Sequence, residues 1–138
     1  MGKRHNEVFL NNYIELDKAC CDKFGVANGG VGEYISRLNN ARFAPNRDVV
    51  LPRLVRYRNI HKRFYYEPGA VRKDDEIGKD DIRWIARFKH DVVKRRDPIS
   101  RYLRKARRYA FRKKLIHLCL GAAAVALVVL VAVLIATL

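Results

Sequence analysis

The last 21 residues, Leu118 to Leu138, contain no charged side chain, and this limits what the chain can fold into more than any other feature. As a helix rising about 1.5 Å per residue they would extend roughly 31 Å, the thickness of a bilayer's hydrocarbon core. Twelve of them are Leu, Ile or Val, and each such residue favours mid-membrane by roughly 0.3 to 0.6 kcal/mol. A helix buried in a soluble core would instead carry a polar stripe and seldom exceed about 14 uninterrupted apolar residues. Residues 115–138 are therefore expected to form one transmembrane helix.

Every formal charge falls in the first 114 residues, where 29 Lys and Arg outweigh 14 Asp and Glu to leave +15. Arg101, Arg104, Lys105, Arg107, Arg108, Arg112, Lys113 and Lys114 crowd the approach to the apolar run. Residues 97–114 thus read as a basic juxtamembrane helix whose eight cations are candidate contacts for anionic lipid headgroups. Such clusters stay on the cytoplasmic face, so the N-terminal domain is expected in the cytoplasm. The opening Met1-Gly2-Lys3-Arg4-His5-Asn6 lacks the apolar run of a secretory leader, and Asn6 stands where a myristoylation motif asks for Ser or Thr. The expectation is a single-pass, tail-anchored protein. Ala122 and Ala126, then Ala132 and Ala136, would let two spans approach closely, so a homodimer is a candidate assembly.

Residues 1–96 read as a cytosolic helical domain. Phe9, Tyr13, Leu16, Cys20 and Phe24 recur at three- and four-residue spacing over Asn6 to Phe24, ended by a glycine-rich loop. A second helix is predicted from Val31 to Phe43, a third from a cap at Asp48 with Pro52 near its first turn, and a fourth from a cap at Asp80. Asp97-Pro98, a cap followed by proline, opens a fifth that nothing interrupts before the apolar run. The fold class is all-α: a small four- to five-helix bundle followed by one C-terminal transmembrane helix.

On the third helix, at about 100° per residue, Arg58 and His61 share the arc of Leu51, Leu54 and Tyr57, so a cation and an imidazole face the packed side. That pairing suits proton transfer or phosphate binding. It also suits a structural pair satisfied by Glu33 or another carboxylate. Arg58-Asn59 resembles the first half of the hallmark of the HEPN helical-bundle family, an Arg followed by a polar residue and, a few residues on, a His. Many members of that family are metal-independent ribonucleases or components of toxin and defence systems. Arg63, Phe64 and Tyr65 occupy the positions where the histidine would stand, and His61 comes too early for Arg58. The resemblance therefore implies a catalytically silent binding domain.

Other chemistries fail on inventory. There is no phosphate-binding P-loop, and Cys20, Cys21 and Cys119 have neither zinc nor redox spacing and read as free thiols. Asp74, Asp75, Glu76, Asp80 and Asp81 lack the order of a calcium loop and read as a solvated turn, so neither a metal nor a cofactor is expected. The function expected is a non-enzymatic, membrane-tethered interaction module with a lipid bilayer and a protein as partners. The alternative is a membrane-tethered RNA-binding or HEPN-like ribonuclease or defence protein using Arg58 and His61, its nucleic-acid contacts weak because the charge is dispersed.

Overall fold

The computed structural model describes residues 2–69 and 77–138. Among these are five α-helices and no strand: α1 Gly2–Phe24, α2 Gly30–Asn40, α3 Arg47–Tyr66, α4 Lys79–Val93 and α5 Pro98–Thr137. Two compact units divide the chain, Met1–Tyr102 and Leu103–Leu138. The first is an all-α bundle that takes in the opening turn of α5, and the second is helical throughout its described length apart from Leu138.

In the bundle α1 is the hub, packing along α4 and α2 and meeting α3, while α2 also packs on α3. The periodic stripe of α1 explains this, since Phe9, Tyr13, Leu16 and Cys20 are all buried. Phe9 packs against Tyr57 and Phe64 of α3 at ring separations of 5.7 and 6.2 Å. On the other side Trp84 stacks on Phe88 at 5.0 Å, and Phe88 meets the edge of Tyr34 at 5.3 Å. Burying each such ring stabilises by roughly 1.5 to 3 kcal/mol, with about 0.5 to 1.5 kcal/mol more for a well-placed aromatic pair.

The helix ends follow from local chemistry, and three differ from the sequence expectation. Gly25, at φ +66°, closes α1 in a left-handed turn that lets the Val26 N–H reach the Cys21 carbonyl at 3.1 Å. Helix α2 stops at Asn40 and not Phe43. The Arg47 guanidinium bonds the carbonyls of Leu38 and Asn39 at 3.0 and 3.1 Å, taking the acceptors that the Arg42 and Phe43 N–H groups would need to extend the helix. Helix α3 is capped by Asn46 in left-handed geometry, not by Asp48, which falls inside the first turn. Pro52 consequently lies in the second turn, and the carbonyl it leaves open belongs to Asp48, an exposed residue that water can serve. Helix α4 is capped by Gly78, not Asp80. Asp81 reaches back to the Gly78 N–H at 3.1 Å, the half of a capping box that a glycine cap allows.

The crossing of α1 and α2 depends on Gly30. A methyl group there would collide with the Asp17 carbonyl oxygen and stand 2.5 Å from the Cys21 nitrogen, both backbone atoms that cannot move aside. Gly32, two residues on, has nothing within 4 Å of the same added carbon. Gly30→Ala is expected to destabilise the bundle by about 2 kcal/mol by prying the helices apart. Gly32→Ala should stabilise it by up to about 1 kcal/mol through helix propensity. Thermal unfolding of the two variants side by side checks the sign of each.

Candidate functional site

Arg58 and His61 come together in an open pocket of about 470 Å³, also lined by Tyr13, Ile14, Asp17 and Lys18 of α1, Gly29 and Gly32 at the start of α2, and Lys62. One helical turn separates Arg58 from His61 on α3, so both face α1. The His61 imidazole stacks on the Tyr13 ring at 4.2 Å with the planes 17° apart. Asp17 spans the gap to α2, its Oδ1 accepting the Val31 N–H at 2.9 Å.

No carboxylate from Glu33 satisfies the pair, contrary to the sequence expectation. Glu33 is half-exposed and accepts from the Arg37 Nε at 2.9 Å one turn along α2. The Arg58 Nε is out of reach of solvent and has no hydrogen-bond acceptor among the described residues. A buried donor left in this state costs about 1 to 3 kcal/mol, and the price is higher when the group is charged.

Burial holds the His61 imidazole below its ordinary range, against the opposing pull of the Asp17 charge. Burial likewise raises the Tyr13 hydroxyl, Asp17 adding to the rise and Arg58 opposing it. The unfolded chain therefore takes up the His61 proton at a higher pH than the folded one does. Between the unfolded value near 6.5 and the lower folded value, acidification costs stability. His61→Gln is expected to flatten the fall in melting temperature between about pH 7 and pH 5, read from calorimetric scans of both proteins across that range.

A second polar cluster was missed by sequence reasoning beyond its capping role. Asp97 is fully buried. It caps α5 by accepting the Ser100 N–H at 3.2 Å and the Ser100 hydroxyl at 2.7 Å. It also accepts the Tyr34 hydroxyl at 2.7 Å, while that hydroxyl accepts the Ile99 N–H at 3.3 Å. Lys23 of α1 completes the set, with its Nζ 3.6 Å from the carboxylate and hydrogen-bonded to Ser100. Burial and the neighbouring Asp97 charge push the Tyr34 hydroxyl far above its usual range, so it stays a donor.

A third cluster surrounds Asp81, which accepts from the Tyr57 hydroxyl at 2.7 Å and pairs with Arg56 at 3.2 Å. Burial alone would raise its pKa, but the bonds from Tyr57 and Gly78 and the Arg56 charge outweigh that and hold it low. Asp74, Asp75 and Glu76, the rest of the acidic loop, lie outside the described residues, and Asp80 is exposed. Cys20 is a buried free thiol, pushed up to about 12 by burial and by Asp17, and Cys21 is raised for the same reasons, so neither is a thiolate near neutral pH.

In the second unit, Arg104, Lys105, Arg107, Arg108, Arg112, Lys113 and Lys114 are all exposed, as is Arg101 in the first. Tyr109 and Phe111 stand exposed among them. Beyond them α5 contains a stretch long and apolar enough to cross a membrane, with a mean hydropathy of 3.1 over 18 residues and none of it buried.

A family model matches residues 7–118, that of a family of unknown function, DUF6548. No curated protein and no solved structure matches the chain.

Proposed function

The chain belongs to the DUF6548 family, whose function is unknown, and we propose that it is a single-pass membrane protein carrying a basic helical interaction module on the cytoplasmic face. The observation that carries this reading is the unburied apolar half of α5. Side chains such as Leu127, Leu130 and Leu134 are more than half exposed, a solvation cost in water that a bilayer removes. The exposed cations from Arg101 to Lys114 supply the orientation, and each within reach of an anionic leaflet adds about 1 kcal/mol of attraction. Tyr109 and Phe111 have the amphipathic or apolar rings that settle at headgroup depth. The family match takes in the bundle and the basic segment alike and stops where the apolar run begins.

Protease added to sealed vesicles whose cytoplasmic face points outward tests the topology. Residues 1–96 should be digested, and their protection would reverse the orientation.

The shared pocket of Arg58 and His61 favours a second reading, a membrane-tethered RNA-binding or HEPN-like ribonuclease domain. Cleavage needs a proton donor or acceptor beside a phosphate-binding cation, and this pair has those types. The His61 ring, however, is stacked on Tyr13. We expect no cleavage of RNA by the purified protein. Cleavage that Arg58→Ala or His61→Ala abolishes without lowering the melting temperature would put the second reading first.

A further inference from the structure

We propose that the pocket framed by α1, the start of α2 and α3 binds a phosphomonoester group, held by Arg58, Lys18 and Lys62 and by the glycine-built start of α2. Three cations and one carboxylate line the pocket, a formal charge of +2 with His61 neutral. The single carboxylate, Asp17, is bonded to the Val31 N–H, which turns one of its oxygens toward α2. Arg58 brings a guanidinium whose Nε–H has no acceptor within the described fold. Phosphate oxygens match that fork in two-point geometry, which a single-point ammonium cannot offer.

The start of α2 adds a second, independent feature. Gly29 and Gly32 line the pocket with no side chain over the backbone, and a carbon added at either would meet open space. The first turn of a helix carries N–H groups without intrahelical partners and the positive end of the helix dipole. Lys18 and Lys62 are both exposed, so they can close on an anion without leaving water first. At about 470 Å³ the space exceeds a bare phosphate, so the group arrives attached to an organic body, for which half-exposed Ile14 and the Tyr13 ring offer an apolar wall. That body can be a soluble metabolite or a lipid headgroup. Neither source depends on the membrane reading of α5.

The test is calorimetric titration of the full chain, in uncharged maltoside micelles at constant ionic strength, with inorganic phosphate, inositol 4-phosphate and short-chain phosphatidylinositol 4-phosphate. Saturable 1:1 binding is expected, weakened about tenfold or more by Arg58→Gln through loss of a charge-assisted two-point contact. Gly32→Asp is the sharper variant. It puts a carboxylate at the pocket mouth in open space, in a helical first turn where acids are favoured, so the fold should persist while binding is lost. Arg87→Gln, on the exposed face of α4, should leave affinity unchanged. A preference between the inositol phosphate and its lipid identifies the source. Absence of saturation, equal losses in the Arg58 and Arg87 variants, or full affinity in both Arg58→Gln and Gly32→Asp would overturn the proposal. So would binding of an RNA oligonucleotide without terminal phosphates when none of the three monoester probes binds.

Discussion

Asp97→Ala is expected to lower the melting temperature of the bundle by on the order of 20 °C, from a loss of about 3 to 5 kcal/mol. The carboxylate is fully buried and accepts from Tyr34 at 2.7 Å and from Ser100 at 2.7 and 3.2 Å, with Lys23 beside it. Removing it strands several polar groups at once. The Tyr34 hydroxyl loses its acceptor inside the core, the first turn of α5 loses its cap, and the Lys23 ammonium loses its counter-charge. Whole-domain stability is typically about 5 to 15 kcal/mol, so a third or more of it hangs on this residue. Asp97→Asn keeps an acceptor for Tyr34 and Ser100 while removing the charge, and should cost about half as much. If both variants melted within about 2 °C of the parent, the network would be a bystander to the fold.

The same residue illustrates what a sequence can and cannot disclose. Asp97-Pro98 is readable as a helix start because capping is a local matter of one side chain and the next three N–H groups. Its bond to Tyr34, 63 positions away in the chain, is not local and leaves no spacing signal. The stripe of Phe9, Tyr13, Leu16 and Cys20 was legible for the opposite reason, since periodicity records burial directly. The end of α2 was misjudged because the group that stops it, Arg47, reaches back from the next helix. For Arg58 and His61, helical phase placed both on the inner side. Only the packing of α1 and α2 reveals that Tyr13, Asp17 and two glycines share their pocket and that Glu33 is turned away to Arg37.

Ending the chain at Lys114 is expected to abolish membrane association entirely. The twelve Leu, Ile and Val residues after it together favour insertion by several kcal/mol, and no charge opposes them. Without them only the basic segment and the bundle remain. Electrostatic attachment of that kind dissolves in salt, because surface charges farther apart than about 8 Å are screened at physiological ionic strength. A graded version of the same test is Val128→Arg, near the middle of the uncharged run. It should cost about 3 kcal/mol of insertion, on the order of a hundredfold in the membrane-bound to free ratio. Val128→Leu should leave that ratio unchanged.

Alkaline carbonate extraction of membranes carrying the full-length chain tests the central claim most directly, since it strips proteins held by charge and leaves those that span the bilayer. The account predicts that the full-length protein sediments with the membranes while the chain ending at Lys114 stays in the supernatant. Recovery of the full-length protein in the supernatant would contradict it.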